Sequence, residues 1–299
     1  MNLGKHKFFP IVLLLSVALI WGTTFAIMKN SLGRIDVNSF LAWRFILAAA
    51  IMALLRPQSF KHITPGFLLR GVSAGLLLGA GYIFQTFGLT LTTVAKTGFI
   101  TGLYAVFTPL IAALFFKHRI LKIQWAAVGL ATVGMGVLSL HGFSIGLGEF
   151  LVLIAALFFA LHFIGLSRWS PNRDAYALTM IQMATVGLLS FICSLKSGFH
   201  MPHDHGVWVV VIYSAVLASA FAFIIQTWAQ SFMSATTVAI VLTMEYIFAA
   251  IFGIILAHES LTWRTIIGGF CMTVGLYLVI LFDDNAASSA APGHEKIAS

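Results

Sequence analysis

Apolar runs of about 20 residues follow one another along almost the whole chain, each long enough to cross about 30 Å of hydrocarbon as a helix. Inside a bilayer every backbone polar group must be paired within the protein, which leaves only helices and closed barrels. Barrel strands read as short alternating segments; these runs are continuous. Composition agrees, with 60% hydrophobic and 9% charged residues, against about a quarter charged in a soluble domain. The expected fold class is an all-α polytopic membrane protein.

Ten spans are expected, at about 9–28, 38–55, 70–90, 97–116, 123–140, 149–167, 176–195, 207–228, 235–257 and 264–282. Proline-containing polar segments such as Arg56-Pro57-Gln58 and Ser170-Pro171-Asn172-Arg173-Asp174 separate them. The first run follows Lys5-His6-Lys7 in the manner of a signal peptide, but it is too long for a cleaved h-region and reads as a retained helix. Residues 283–299 are small and polar and are expected to be a disordered cytoplasmic tail.

The net charge of +8 does not point to nucleic acid, because the basic residues sit in short loops where they set topology. With the N-terminus inside, the inner segments carry eleven Lys and Arg and the outer ones five, with Arg44 inside a span. Both termini are therefore expected in the cytoplasm. Cys193 and Cys271 lie in separate apolar spans and read as core residues rather than a disulfide. His200, His203 and His205 share one loop, but the short loop and Pro202 favour a hydrated turn, and no metal or cofactor is expected.

The chain also repeats itself. Gln85-Thr86 returns in the second half as Gln226-Thr227, and Thr132-Val133-Gly134 returns at the same offset as Thr273-Val274-Gly275. That offset covers five spans, an odd number, so matching helices cross in opposite senses. The basic Lys117-His118-Arg119 loop aligns with His258-Glu259-Ser260, as inversion requires. The expected organisation is two inverted five-helix repeats, residues 1–141 and 142–282, an architecture that recurs in secondary transporters.

The segment Thr97-Gly98-Phe99-Ile100-Thr101-Gly102-Leu103-Tyr104-Ala105-Val106-Phe107-Thr108-Pro109-Leu110 resembles the fourth helix of EamA-type members of the drug/metabolite transporter superfamily. Trp21-Gly22-Thr23-Thr24-Phe25, Arg44-Phe45, Gly148-Glu149-Phe150 and His258-Glu259-Ser260-Leu261-Thr262 are similar to other family segments in the same order. The resemblance implies ten helices in two inverted repeats and the export or exchange of small metabolites, often amino acids. His118 and Tyr246 depart from the family pattern, where Glu and Pro are frequent.

Glu245, near the middle of the ninth span, is the sharpest site candidate. A charge at the bilayer centre costs about 2.5–3.5 kcal/mol on insertion scales, so such a residue faces a cavity or a partner. It is read as an anchor for a substrate amine or as a proton-coupling carboxylate. Gln85 and Gln226 are repeat-related, Tyr82 shares the face of Gln85, and Thr97, Thr101 and Tyr104 form one polar stripe. Such a stripe either lines a wet cavity or joins helices by hydrogen bonds.

His162 aligns with Trp21 at the same offset and is read first as a neutral histidine with a satisfied hydrogen bond and second as a residue for substrate contact or proton relay; Gln182 has similar standing. Thr24, beside Trp21 in the first span, and the aromatic Trp228 complete the expected substrate-binding set. Arg44 is expected to snorkel to the interface or to pair with a carboxylate, in a structural or gating role. Positions that diverge between the halves, Tyr104 with Glu245 and Trp21 with His162, are where substrate is expected.

These residues point to a secondary transporter working by alternating access on amino acids or related amphipathic compounds. No nucleotide-binding motif is present to supply ATP energy. The rivals are an uncoupled facilitator and an integral-membrane lipid-modifying enzyme, which would need an acid–base or metal constellation that the sequence lacks. The expected partners are a small-molecule substrate and the lipid bilayer, and a monomer is compatible with all of this.

Overall fold

The computed structural model describes residues 3–116 and 144–271 continuously, with 126, 129–130, 132–134, 136–137, 140–141 and 273–275. Half of the expected fifth span, the end of the tenth and the 283–299 tail lie outside the described residues.

The helices are α1 (Leu3–Leu32), α2 (Val37–Leu55), α3 (Pro65–Leu91), α4 (Val94–Thr101), α5 (Tyr104–Phe116), α6 (Leu147–Trp169), α7 (Ala175–Ser194), α8 (His205–Tyr213), α9 (Ala222–Gln230), α10 (Ala235–Leu242) and α11 (Met244–Ala257). A short 3₁₀ turn covers Pro57–His62, and a π-helical segment, Ser214–Phe221, joins α8 to α9. A two-residue antiparallel pairing sets Leu140–His141 (β1) against Ser144–Ile145 (β2). Among the described residues, eight helical stretches are long and apolar enough to cross a membrane, from Phe9–Leu32 to Ala235–Ala257.

Several helices start where a short polar side chain precedes an apolar run. Asp36, Thr64, Thr93, Asp174 and Asp204 each accept a backbone N–H of the first turn that follows, supplying partners that the helix cannot.

The bundle is held by close backbone approach. On α3, Gly71, Gly75 and Gly79 form one stripe facing α7; a methyl group at Gly75 would lie 2.5 Å from Thr185 Cβ. Lipid offers apolar surface as readily as protein does, so helices associate where small residues let backbones meet.

Ion pairs identify the two ends. Lys29–Glu259, Lys96–Glu149 and Arg34–Asp204 gather at one end, and Arg56–Asp174 lies at the other. It follows that α1 and α3 run toward the first end while α6 and α8 run away from it.

Candidate functional site

Two of the spans tighten in the middle. Between α4 and α5 the backbone tightens to i→i+3 bonds: Leu103 N to Ile100 O at 3.1 Å and Ala105 N to Gly102 O at 3.0 Å. Between α10 and α11, Tyr246 N reaches Thr243 O at 3.1 Å in the same way. The two interruptions lie at the same spacing as Gln85 and Gln226, and they place Tyr104 and Glu245 at the starts of new helices. A helix N-terminus favours negative charge, which suits Glu245 in the first turn of α11. Interrupted helices at corresponding positions of two halves are a recurrent mark of transporter binding sites.

A cavity lies beside these interruptions. Of the residues singled out by sequence, Trp21, Thr24, Arg44, Tyr82, Gln85, Thr101, His162, Gln226 and Glu245 line it. Three pairs of lining residues share the repeat spacing: Trp21 with His162, Tyr82 with Phe223, and Gln85 with Gln226.

The polar lining is partly satisfied within the protein. Gln85 Nε2 donates to Thr101 Oγ1 at 3.0 Å, and Gln226 Nε2 donates to Gln230 Oε1 at 3.1 Å. Gln226 Oε1 is buried and accepts no hydrogen bond among the described residues. Glu245 is 3% exposed, and among the described residues no donor reaches its carboxylate. His162 Nε2 meets Gln182 Oε1 at 2.7 Å.

Arg44 departs from expectation. It is 1% exposed and so does not snorkel to an interface, and it pairs with no carboxylate among the described residues. Its Nε donates to Ser219 Oγ at 2.8 Å and its Nη2 to Ala218 O at 3.2 Å, both on the π-helical segment. Trp21 Nε1 donates to the same Ala218 carbonyl at 2.8 Å. π-Helical turns are rare and concentrate at functional sites.

Four expected residues stand off the lining. Thr97 donates to Thr93 O at 2.8 Å, so its hydroxyl serves its own helix. Tyr104 stacks on Phe163 with ring centroids 5.0 Å apart, one layer behind the cavity. Gln182 supports His162 from behind, and Trp228 packs edge-on against Phe232. Sequence reasoning missed Phe25, Met28, Leu78, Phe159, Phe163 and Phe223, which make much of the wall apolar and aromatic. In a chain with 27 Phe, no sequence signal separates these from lipid-facing neighbours.

It also missed a capping role for Glu259. His258, in the left-handed conformation with φ 53°, ends α11, and Glu259 N returns to Gly253 O at 3.0 Å. That turn delivers the Glu259 carboxylate to the start of α4, where Val94 N and Ala95 N donate at 2.6 and 3.1 Å. Lys29 joins this carboxylate at 3.6 Å and donates to Thr92 O.

The sequence profile of the EamA-like transporter family matches residues 8–140 and again 146–281. The chain belongs to the EamA-like transporter family. Similar proteins include an uncharacterized transporter of Archaeoglobus fulgidus, 30% identical over 93% of this chain and 88% of that protein. A probable amino-acid metabolite efflux pump of Salmonella typhimurium is 26% identical over 89% of this chain and 93% of the pump. A biotin transporter of Escherichia coli is 22% identical over 86% and 88%. A solved crystal structure superposes with a TM-score of 0.70 at 15% identity, covering 93% of this chain and 98% of the other, a likeness of fold. This EamA chain is thus a multi-pass membrane protein among transporters.

Proposed function

We propose that the protein is a secondary transporter that exports or exchanges small metabolites, above all amino acids or related amphipathic compounds, by alternating access. The observation that carries this reading is the central cavity, lined in pairs at the repeat spacing and holding a buried carboxylate, Glu245, with no donor among the described residues. Two inverted five-helix repeats, residues 1–141 and 142–282, account for those pairs and for the opposite directions of α1 and α6. Each copy can take the other's conformation, and that exchange moves the opening from one face of the membrane to the other. The double family match and the amino-acid metabolite efflux pump among the relatives support the same reading.

In this scheme Trp21, Thr24, Tyr82, Gln85, Thr101, His162, Gln226 and Glu245 contact substrate, and Tyr104 and Gln182 hold the lining from behind. Thr97 and Trp228 lie outside the contact set. Glu245 binds a substrate amine or carries the coupling proton, with His162 as its companion. The protein sits in a bacterial cytoplasmic membrane with both termini inside, as the loop charges favour, and works without a resident cofactor.

Uptake and counterflow in proteoliposomes with panels of labelled amino acids test the reading. Saturable, gradient-dependent movement is expected. If no metabolite moves faster than into empty liposomes, the carrier reading is wrong; unsaturable flux indifferent to gradients would assign an uncoupled facilitator instead.

A further inference from the structure

We propose that Arg44 is the receptor for a substrate carboxylate, and that Ser219 on the π-helical turn is the positioning residue that aims it. The inference rests on the carrier reading and names the chemistry at one pole of its cavity.

A guanidinium remains protonated in proteins and presents its donors as a rigid fork. In Arg44 one edge of that fork is occupied by the π turn, with Nε on Ser219 Oγ at 2.8 Å and Nη2 on Ala218 O at 3.2 Å. The outer end is poorly served. Among the described residues Nη1 meets only the Met28 sulfur, at 3.4 Å, and Nη2 meets the Tyr82 hydroxyl at 3.5 Å. A thioether is a weak acceptor, and both Met28 and Tyr82 line the cavity. The rings of Tyr82 and Phe45 lie 4.8 and 4.9 Å from the guanidinium carbon and fix its plane.

A buried cation without a counter-charge is costly, and removing that deficit stabilises whatever supplies the anion. Four ion pairs form among the described residues, and none includes Arg44. Glu245 shares the cavity but does not pair with it. A carboxylate docked on the Nη1–Nη2 end would replace the sulfur contact with two charge-assisted hydrogen bonds. The receptor exists in one half only: at the repeat spacing Arg44 aligns with Thr185, and Ser219 aligns with Leu78. The cavity therefore has a single anion-binding pole, and substrate lies in it in one orientation.

The test is counterflow of whichever amino acid moves fastest, in competition with that compound, its carboxamide, its methyl ester and its decarboxylated amine. The wild-type protein is expected to bind the three neutralised analogues at least about tenfold more weakly than the parent. Ser219→Ala should narrow that ratio severalfold, Ser219→Thr should keep it, and Arg44→Lys should not restore it because an ammonium lacks the fork. A general packing role for Ser219 would weaken all four competitors together. Analogues that compete as well as the parent while counterflow persists would overturn the proposal and leave the carrier reading intact. Where no metabolite moves, thermal stabilisation by the parent amino acids against their amides gives an independent readout, since a bound ligand raises Tm by mass action. Equal stabilisation, or none by any carboxylate, overturns the proposal.

Discussion

His162 Nε2 lies 2.7 Å from Gln182 Oε1, and the orientation of that amide is set by its other end, where Nε2 donates to Leu178 O at 3.3 Å. The amide oxygen therefore faces the ring, and the hydrogen bond between them is completed by a proton on His162 Nε2. One cavity-lining imidazole is thus oriented by a residue from the neighbouring helix.

Replacing Gln182 by Leu leaves that buried N–H without an acceptor. The expected cost is about 1–3 kcal/mol of stability, because the lost partner is not replaced by water. Adding His162→Phe removes the orphaned donor, and the double variant is expected to recover part of the loss. Denaturant unfolding in detergent micelles measures both variants, and strictly additive losses would show that the two side chains are not coupled.

Glu245 has no donor among the described residues, yet it stands in the first turn of α11 facing the cavity. A carboxylate there is expected to act through the ion or amine that it meets during transport. If Glu245 carries the coupling proton, Glu245→Gln should abolish accumulation driven by a pH gradient while leaving substrate counterflow intact, whereas an amine anchor predicts that counterflow falls as well. The measurement is paired uptake with and without an imposed pH step, and unchanged pH-driven accumulation removes the coupling role.

Much of the scaffold is readable because apolar length is a property of consecutive residues. The spans from Phe9–Leu32 to Ala235–Ala257 follow the expected order, with ends moved by a few residues. The ionisable Glu245 and His162 and the glutamines at matching offsets also announce themselves, since polar groups are conspicuous in apolar runs. What eludes sequence reasoning depends on separations that no local pattern encodes. Ser219 lies 175 residues from Arg44, and Glu259 lies 165 from Val94. The π turn runs through Ser214-Ala215-Val216-Leu217-Ala218-Ser219-Ala220-Phe221, with neither Pro nor Gly to mark it. Arg44 escapes for the same reason: it meets a carbonyl and a hydroxyl presented by that turn, where the sequence suggests the interface or a carboxylate.

Lys96 Nζ meets Glu149 Oε1 at 2.8 Å, with the two side chains only 17% and 6% exposed. Thr92 Oγ1 donates to the same oxygen at 2.9 Å, so the end of α3, α4 and α6 converge on one carboxylate. Lys96→Met strands that carboxylate. The expected loss is about 2 kcal/mol or more, below the roughly 3–5 kcal/mol of a fully enclosed pair because some water reaches the lysine. Lys96→Met with Glu149→Gln should recover much of the loss. Thermal unfolding in one detergent compares the three proteins, and a double variant less stable than Lys96→Met would contradict this account.

At the same end, Asp204 caps α8 by accepting Val207 N at 2.9 Å, while Arg34 Nη1 reaches both of its oxygens at 3.0 and 2.9 Å. The Val207 N–H, and then the Arg34 charge, hold the carboxyl below the usual aspartate range. A depressed folded-state value means that the contact stabilises the protein above the unfolded aspartate pKa of about 3.9 and ceases to do so as pH falls through the folded value. Asn can still cap a helix start, so Asp204→Asn removes the charge and keeps the cap. The difference in Tm between wild type and this variant is expected to stay constant from pH 7 to about 5 and to shrink as the medium is acidified further. Added salt should shrink it at neutral pH as well, because both partners are solvent-exposed. Thermal scans of the two proteins across that range give the answer, and a difference that widened in acid would mean that the ionised carboxylate is not what holds α8 to the loop after α1.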